Sequence, residues 1–363
     1  MSKDDKKKLG FFGKITYLSN FLFALLLVGS SWSSMLDPRL STLVALLGLF
    51  YPAWLIINLL FMLFWMLRVR GQFLLSLIAI LLTWSDLSSW VRFGHEEQAV
   101  NAEAGISFMS YNVRMFNRYD WIQGGDVPTS IERIVDRQNP DVLCIQEYYR
   151  KSTSPRFHFA HEYIWTPNYG KNYGMAILSQ WPIIDSGAVE YNPYVGLGSN
   201  RGFIWADLLI GRDTIRVVNI HLASLQLQDD DFKLVDGAVD ISNQEELKKG
   251  LWKFGGRIGR ALVKHAHQME PLKAFLEESP YPLVLCGDFN DTHSGYAYSQ
   301  IDQLLDDSFV RAGRGFGKTY PRFWFPLRID HIFVSEEMRV RKHGVIWEEF
   351  SDHFPVVAEV SLQ

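Results

Sequence analysis

The sequence LVLCGDFND at residues 283–291 decides the fold, because an apolar run ends there in a cluster of carboxylate and amide side chains. Leu283–Cys286 has the length and composition of a buried strand. Asp288 and Asn290 are two positions apart, so on an extended backbone both side chains point to the same side. An Asx-type turn is the alternative for this stretch taken alone. The stretch therefore predicts a strand whose carboxyl end presents two polar groups.

The same arrangement recurs along the chain, with acidic, amide or imidazole side chains next to apolar strand-like runs. One such residue is typically a cap or a turn. Six such places, dominated by Asn, Asp, Glu and His, predict that one edge of a rigid sheet carries a metal or acid–base site. Besides 288 and 290, the positions are Asn112, Glu147, His221, Asp330 with His331, and Asp352 with His353.

The pattern of elements after residue 103 indicates a layered α/β or α+β domain. Short strand-like runs outnumber helical ones, and the two kinds do not alternate strictly. Helical periodicity is predicted for Thr129–Asn139 and, with breaks, for Gln244–Glu278. The strand predictions are Ile106–Val113, Asp141–Gln146, Gly174–Leu178, Phe203–Ile210, Thr214–His221, Leu283–Cys286, Ile329–Val334 and Val356–Val360.

Six ordered motifs resemble those of the DNase I-like endonuclease/exonuclease/phosphatase superfamily. The match is most specific in GDFN and in SDH followed by FPV. The resemblance implies a four-layer β-sandwich of the DNase I-like type, and it leaves the substrate open because the superfamily acts on many phosphoesters. The motifs are YNV at 111–113, IQE at 145–147, NIHLAS at 219–224, GDFND at 287–291, IDHIFVS at 329–335 and SDHFPV at 351–356.

The resemblance implies a divalent cation, Mg²⁺ or Mn²⁺, as cofactor. Glu147 is the expected main ligand, since a hard cation prefers carboxylate oxygen and keeps several waters. Asn112 would help hold the metal or a phosphate oxygen, and Asp352 would add a second metal contact. Arg114 stands where metal-binding nucleases of this family often have an acidic residue. It would contact phosphate directly and disfavour a second cation.

The other implied roles concern acid–base chemistry on a phosphoester. His353 is the expected catalytic imidazole, oriented by Asp330, either as a general base or as a cationic clamp on phosphorus. Asp288 would orient or deprotonate the attacking water, and Asn290 would hold that water or a phosphate oxygen. His221 would hydrogen-bond the phosphate or protonate the leaving group. The sequence contains no Gly-x-Ser-x-Gly nucleophile motif.

Charge is distributed unevenly around the overall net charge of −4. Residues 1–101 carry nine Lys/Arg and six Asp/Glu, which leaves 27 basic and 34 acidic residues in 102–363. A basic footprint for gripping a nucleic-acid backbone is therefore absent from the predicted catalytic domain as a whole. We expect the partner to be a phosphodiester substrate, either a nucleic acid or a lipid headgroup, and the sequence indicates no protein partner.

The first 91 residues predict a membrane anchor, in contact with the bilayer through residues 15–91. Ile15–Met35 and Leu40–Leu67 carry no charge, and each has the roughly 20 residues needed to span a bilayer. A third span, Gly71–Val91, requires the helix to continue past Asp86. A cleaved signal peptide is one alternative, and the long first run, the lack of a clear small-x-small cleavage site and the second run that follows at once argue against it. A buried soluble hairpin is the other, and the 28-residue second run without a charge argues against it.

The basic flanks predict the orientation and the domain plan. The lysine-rich N-terminus and the Arg68–Arg70 turn should face the cytoplasm. Three helices then place the catalytic domain outside the cytoplasm, whereas a third run that only lies on the membrane surface would leave the domain in the cytoplasm. The topology suggests a bacterial inner-membrane protein. The predicted plan is an anchor at 1–91 with about three transmembrane helices, a linker at 92–102 and a catalytic domain at 103–363.

The sequence thus predicts a membrane-anchored, divalent-metal-dependent phosphoesterase that hydrolyses a phosphodiester in a nuclease-like manner. A phospholipid or sphingomyelin phosphodiesterase is one alternative. An inactive binding module that retains the fold is another, against which the intact set of polar residues argues. Cys144 and Cys286 lack metal-ligand spacing and are expected to be buried thiols. The aromatic segment 320–326 either lines the substrate cleft or packs beneath it.

Overall fold

A computed structural model describes residues 9–93, 105–150, 154–167, 172–192, 201–228, 230–232, 244–323 and 325–362. Most of the expected linker, 94–102, lies outside these ranges. The chain begins with five apolar helices, of which four pack into a bundle. Their bounds are α1 Phe11–Ser33, α2 Thr42–Leu49, α3 Tyr51–Leu67, α4 Phe73–Leu82 and α5 Trp84–Trp90.

Two of the three long apolar runs are split by a bend. The run from 40 to 67 breaks at Phe50, where α2 and α3 meet at 59°, and Pro52 occupies the first turn of α3. Proline suits that position because its missing N–H would have no partner there. The run from 71 to 91 breaks at Thr83, where α4 and α5 meet at 71°. In the described chain, α1 alone is long and apolar enough to cross a membrane, and three spans result only if each bent pair counts as one.

Two six-stranded sheets follow the helices. The first sheet has the strand order β10-β12-β9-β8-β7-β6, and the second has the order β13-β14-β2-β3-β5-β4. A two-stranded ribbon pairs β1 with β11. The strands are β1 Arg92–Phe93, β2 Ile106–Asn112, β3 Val142–Tyr149, β4 His161–Trp165, β5 Tyr173–Ser179, β6 Ile183–Glu190, β7 Gly202–Ile210, β8 Asp213–His221, β9 Leu283–Asp288, β10 Asp306–Asp307, β11 Arg314–Gly315, β12 Asp330–Val334, β13 Met338–Val345 and β14 Val356–Leu362.

The sheets pack face to face between helices, which gives four layers. Alternate strand residues point to opposite faces, so Val284 and Cys286 of β9 enter the core between the sheets while Leu283 and Leu285 face the helical layer. Cys144 and Cys286 are free and buried, as expected. The remaining helices are α6 Val127–Gln138, α7 Gln244–Glu277, α8 Tyr296–Asp302 and α9 Ser308–Ala312. Helix α6 covers the second sheet, and α7 and α8 cover the first.

The mixed four-layer architecture confirms the expected fold class. The predicted strands agree with the structure to within a few residues, but β4, β6 and β13 were not predicted. All three are edge strands of their sheets. Their mixed or exposed positions give a weaker periodic signal than a buried central strand. The predicted helix with breaks at 244–278 is continuous over α7.

Candidate active site

Three adjacent strands of the first sheet bring together residues that are far apart in the chain. His221 and Asp288 are the last residues of β8 and β9, which run parallel and pair at these two positions. Asp330 is the first residue of β12 and pairs with Asp288 from the other side. The side chains of His221, Asp288 and Asp330 therefore meet at one edge of the sheet, as the strand-end pattern predicts.

Asn112 brings the second sheet to the same edge. It ends β2 and its Nδ2 donates a 2.9 Å hydrogen bond to Asp288 Oδ2, while its Oδ1 accepts from the Arg114 backbone N–H at 3.1 Å. Both side chains are buried, with 1% of their surface exposed. Because a buried carboxylate is costly without partners, this bond fixes Asp288 at the junction of the two sheets.

Asn290 provides further hydrogen bonds to Asp288. Its backbone N–H donates to Asp288 Oδ1 at 2.8 Å, and its Nδ2 lies 3.2 Å from Oδ2 of the same carboxylate. Asn290 adopts a left-handed conformation with φ 47°, which Asn tolerates better than most residues. Gly287, at φ 152°, allows the close approach of β8, since a Cβ there would lie 2.1 Å from Ile220 O. Burial raises the pKa of Asp288, and the nearby charge of His353 opposes this effect.

Glu147 does not end its strand, as the sequence suggested, but lies in a bulge within it. The register between β3 and β5 shifts between Ile145 and Tyr148, and Glu147 has φ 52°. A bulge turns a side chain away from the regular alternation, and here it directs the carboxylate to within 3.9 Å of His221 Nε2. Burial and then the charge of Asp352 raise the pKa of Glu147 to about 7.

His353 and Asp330 form a buried pair. His353 Nδ1 lies 2.9 Å from Asp330 Oδ2, and its Nε2 is 3.7 Å from Asp288 Oδ2. Burial by itself would lower the pKa of His353, but the charges of Asp330 and Asp288 raise it well above its usual value. The edge of the Tyr320 ring meets the imidazole at 5.1 Å between centroids. The ring is therefore held as an imidazolium with Nε2 turned towards the cleft.

The pKa of His221 is shifted in the opposite direction to that of His353. His221 Nε2 lies 3.5 Å from Asp288 Oδ2, and the side chain is nearly inaccessible. Burial lowers its pKa despite the opposing charge of Asp288, and the cationic His353 lowers it further. Two histidines of one site are thus held in different protonation states, which separates their chemical tasks.

Arg114 is positioned by an unusual turn. Residues 114–117 all have positive φ, between 44° and 59°, in a short turn after β2. Such a run of non-glycine residues is strained and typical of functional sites. The turn places Arg114 Nε 3.2 Å from Asp352 Oδ2 and stacks the guanidinium 4.3 Å from the Trp121 ring centroid. A fixed positive charge therefore lies beside the carboxylates.

The donor set suits one hard divalent cation. Glu147 and Asp352 offer carboxylate oxygens, which Mg²⁺ prefers together with water. Burial first, and then repulsion from Asp352 and Asp288, raises the pKa of Glu147, and a bound cation would oppose these effects. Asp288, Asp330 and His353 also lie close enough to share an ion, but Asp330 is already bonded to His353. Arg114 places a fixed positive charge beside Asp352.

Two supporting hydroxyls were not identified from the sequence. Thr319 Oγ1 accepts the backbone N–H groups of Ile329 and Asp330 at 3.0 and 3.1 Å. Ser351 Oγ donates to the Asn112 carbonyl at 2.8 Å. Both fix strand ends that carry site residues. Ser351 belongs to the SDH motif, whereas Thr319 has no local sequence signal.

Helix α7 holds the loop that follows His221. Gln268 Oε1 accepts the Ala223 N–H at 2.9 Å, and His265 Nε2 donates to the Ala223 carbonyl at 2.7 Å. Both helix residues are fully buried. Burial lowers the pKa of His265 to about 4, so the imidazole is neutral. The spacing of three between two polar residues on a buried helix face is the signal that could have identified this clamp.

Seven of the nine predicted site residues line one cavity of about 220 Å³, whereas Asn112 and Asp330 lie behind its lining and contact Asp288 and His353. The polar end of the cavity contains the predicted site residues Arg114, Glu147, His221, Asp288, Asn290, Asp352 and His353. Its other wall is apolar and includes Leu49 from α2 and Ile258 from α7. Tyr320 and Phe323 also line it, so the aromatic segment borders the cleft.

Comparison with solved structures gives matches at low sequence identity. An endonuclease/exonuclease/phosphatase from Beutenbergia cavernae aligns with a TM-score of 0.50 and 18% identity over 72% of each chain. A mannosyl-6-phosphatase from Bacteroides thetaiotaomicron gives a TM-score of 0.48 and 18% identity, covering 71% of this chain and all of the other. The human Nocturnin catalytic domain with bound sulfate gives 0.47 and 15%, covering 72% and 94%. The first of these supports the fold.

Comparison of the sequence with family descriptions separates two regions. No curated protein gives a significant sequence match. Residues 13–90 match a domain of unknown function (DUF8431). Residues 109–353, which contain every strand-end motif from Asn112 to His353, match the family described as Endonuclease/Exonuclease/phosphatase. Since that match covers more than half of the chain, the protein belongs to the endonuclease/exonuclease/phosphatase family.

Proposed function

We propose that this protein is a membrane-anchored phosphoesterase that uses a divalent cation and hydrolyses a phosphodiester by attack of water. The observation that carries the proposal is the convergence of Glu147, Asp288 and His353 on one cavity, with Asp330 bonded to His353 behind it. Carboxylates beside an imidazolium form an acid–base and cation-binding site suited to a phosphate. An inactive binding module would have no need to keep this buried, costly set of charges.

The hydrogen-bond donors that surround the cleft would bind the substrate. Arg114 would hold the phosphate oxygens by its fixed charge and its stacking on Trp121. Asn290 lines the cavity, and it would hold a phosphate oxygen by giving up a bond that its Nδ2 now makes to the Leu222 carbonyl or to Asp288. Asn112 acts mainly through Asp288, because its Nδ2 is already donated to that carboxylate. A divalent cation held by Glu147 with Asp352, and with Asn112 nearby, would neutralise the phosphate oxygens as charge develops.

The proposed roles of the two histidines follow from the opposite shifts of their pKa values. The raised pKa of His353 favours the role of a cationic clamp on phosphorus over that of a general base. An imidazolium stabilises negative charge on the phosphorane oxygens. Asp288 is then the group that orients the water and accepts its proton. The lowered pKa of His221 favours hydrogen bonding to the phosphate over proton donation to the leaving group.

The contacts within the helical bundle support the membrane orientation. Tyr17 near the start of α1 packs on Trp65 near the end of α3. Ser31 near the end of α1 bonds Asp86 in α5, and Tyr51 at the start of α3 bonds the Thr83 carbonyl. Helices α1 and α4 therefore run in one direction and α3 in the other.

This arrangement separates two ends of the bundle. Arg68 and Arg70 lie at the end far from the sheets, together with the start of α1, and positive charge there favours the cytoplasmic side. Helices α2 and α5 lie at the other end, with the catalytic domain. We infer that three segments cross the bilayer, namely α1 and the two bent pairs α2–α3 and α4–α5, each pair counting as one span. Helices α2 and α5 then form the non-cytoplasmic ends of their spans.

Hydrolysis in H₂¹⁸O by the full-length protein in detergent micelles tests the proposed reaction. Bis-p-nitrophenyl phosphate with Mg²⁺ should yield p-nitrophenyl phosphate that carries one ¹⁸O, because water attacks phosphorus. Label in the p-nitrophenol would instead indicate attack on carbon. Absence of turnover with Mg²⁺ and with Mn²⁺ would reject the enzymatic proposal.

A further inference from the structure

The N-terminal helical segment supplies part of the wall of the catalytic cavity. Leu49, the last residue of α2, borders the same 220 Å³ space as Glu147 and His353. The side chain is partly exposed, so it contacts the cavity and is not sealed within the bundle. The cavity is therefore completed by a residue that lies outside the 109–353 family region.

Close helix packing fixes α2 in this position. A Cβ on Gly259 of α7 would lie 3.3 Å from Thr42 Cβ, and one on Gly255 would lie 3.8 Å from Leu46 Cδ1. These two glycines, four residues apart, allow α2 to approach α7 along one face. A Cβ on Gly48 would lie 2.7 Å from the Ser294 carbonyl, so α2 also touches the loop after β9.

Helix α5 attaches the bundle to the catalytic domain at a second point. Trp90 Nε1 donates to Ser294 Oγ at 3.0 Å, and its ring meets His293 at 3.9 Å between centroids. Arg328 is buried and donates from Nη2 to the Ser89 carbonyl at 3.1 Å. Arg328 lies two residues before Asp330. The bundle is thus joined to the strand that carries the partner of His353.

The cavity lining differs in polarity from one part to another. Charged and amide groups surround Asp288, whereas the lining residues from α2 and α7 are all hydrocarbon. The loop residues Ser224 and Gln226 and the guanidinium of Arg322, which lies 4.0 Å from the Phe232 ring centroid, add polar groups to the rest of the lining. The apolar lining residues include Leu49, Leu225, Leu227, Phe232, Ile258 and Leu262. Ligand cavities that bind a molecule with both a polar and an apolar part show such a division.

The apolar wall continues outwards onto the lipid-facing surface of the bundle. Leu40 and Leu43, at the start of α2, are 82% and 78% exposed, and Phe50 after Leu49 is 43% exposed. Exposed apolar residues next to membrane-spanning helices suit the bilayer interface. An apolar chain could therefore stay in contact with hydrocarbon from the bilayer to the cavity.

We propose that the substrate is an amphiphilic phosphoester, a lipid whose phosphate lies at the catalytic end and whose apolar chain lies against Leu49 and the α2–α7 wall. The inference rests on the proposed phosphoesterase function and adds the substrate class. It agrees with the acidic balance of residues 102–363, which carry 27 basic and 34 acidic residues and so lack the footprint of a nucleic-acid binder.

The test measures how alkyl phosphates inhibit hydrolysis of bis-p-nitrophenyl phosphate by the full-length protein in detergent micelles. Methyl phosphate and hexyl phosphate share the phosphate and differ by five methylene groups. Burial of methylenes strengthens binding, so the inhibition constant should be at least tenfold lower for hexyl phosphate. Leu49→Gln and Leu225→Gln should each reduce this ratio several-fold. Leu251→Gln, on the exposed face of α7 and outside the cavity lining, should leave the ratio unchanged.

Several outcomes would overturn the inference. A ratio near one in the wild-type protein would show that the apolar wall does not contact the ligand. Tighter inhibition by a thymidine dinucleotide than by hexyl phosphate would favour a nucleic acid. An equal loss of the ratio in Leu251→Gln would show that the effect does not come from the cavity wall. If the protein hydrolyses nothing, the proposed function fails, and calorimetric binding of the two alkyl phosphates still decides whether the apolar wall binds a chain.

Discussion

Asn112 Nδ2 lies 2.9 Å from Asp288 Oδ2 and so joins the ends of strands from the two different sheets. Asn219 makes a comparable bond deeper in the sandwich, where its Nδ2 donates to the Ile145 carbonyl at 3.0 Å. Only the first of these bonds reaches a group that faces the cleft. Comparing Asn112 with Asn219 therefore distinguishes the contribution of an inter-sheet hydrogen bond to stability from its contribution to the site.

We predict that Asn112→Ala lowers kcat/KM for bis-p-nitrophenyl phosphate at least a hundredfold, because Asp288 loses a donor that orients it. It should also lower the free energy of unfolding by about 1–3 kcal/mol, the usual cost of an unsatisfied buried group. Asn219→Ala should lower stability by a similar amount while the folded enzyme keeps most of its kcat/KM. Equal loss of activity in both variants would contradict the assigned role of Asn112.

Glu147 connects metal binding to pH. Its pKa is raised to about 7, by burial first and by the charge of Asp352 second. Protons and the cation compete for the carboxylate. The Mg²⁺ concentration for half-maximal activity should therefore rise as the pH falls from 8 to 6. Glu147→Gln should raise it at every pH and remove this dependence, whereas the exposed Glu190→Gln should behave as wild type. A Mg²⁺ requirement unchanged in Glu147→Gln would place the metal elsewhere.

Asp330 controls the protonation of His353. Its charge is the largest influence that raises the pKa of His353 against the effect of burial. In Asp330→Asn the pKa of His353 should fall, so the imidazolium is lost at lower pH. We expect kcat to fall by about 10²–10⁴-fold and the alkaline limb of its pH profile to move to lower pH. The exposed Asp185→Asn serves as the control. An alkaline limb that stays in place would exclude the imidazolium as the active form.

The neutral His265 makes stability depend on pH. Its pKa is lowered to about 4 in the folded state, against about 6.5 in an unfolded chain. Above pH 6.5 His265 is neutral in the folded and the unfolded states, so its protonation does not affect stability. As the pH falls towards 4, His265 binds a proton in the unfolded chain but not in the folded protein, and the free energy of unfolding therefore declines.

His265→Gln tests this because the amide can still donate to the Ala223 carbonyl but does not titrate. Between pH 7 and pH 5 the wild type should lose up to about 2 kcal/mol relative to the variant. Thermal midpoints of the full-length protein at the two pH values measure this difference, with the exposed His158→Gln as control. A wild-type midpoint that falls no faster than that of His265→Gln would contradict the buried neutral state.

The sequence predicted the fold class and the set of residues that meet in the cleft because both depend on local patterns. Asp288 follows a run of apolar residues, and its neighbours in adjacent strands follow similar runs. Such runs form strands whose ends share one edge. The bulge at Glu147 was not predictable in this way, since it arises from the register between β3 and β5.

Long-range packing accounts for what the sequence did not indicate. Leu49 is one leucine in a charge-free run, and nothing in its surroundings distinguishes a cavity wall from a lipid-facing position. Thr319 lies eleven residues before Asp330 and contacts it only because the intervening loop folds back. The bend at Phe50 was partly signalled by Pro52, but a proline in the first turn of a helix is also compatible with an unbroken apolar run.

The most direct test of the account is the rate of bis-p-nitrophenyl phosphate hydrolysis by the full-length protein, with Mg²⁺ and with a chelator, beside His353→Ala. The account predicts turnover that needs Mg²⁺, disappears with the chelator and returns when Mg²⁺ is restored. His353→Ala, if still folded by its thermal midpoint, should lose at least about a hundredfold in kcat. Turnover that persists in the chelator, or that His353→Ala retains at the wild-type level, would contradict the assignment of this cleft as a metal-dependent phosphoesterase site.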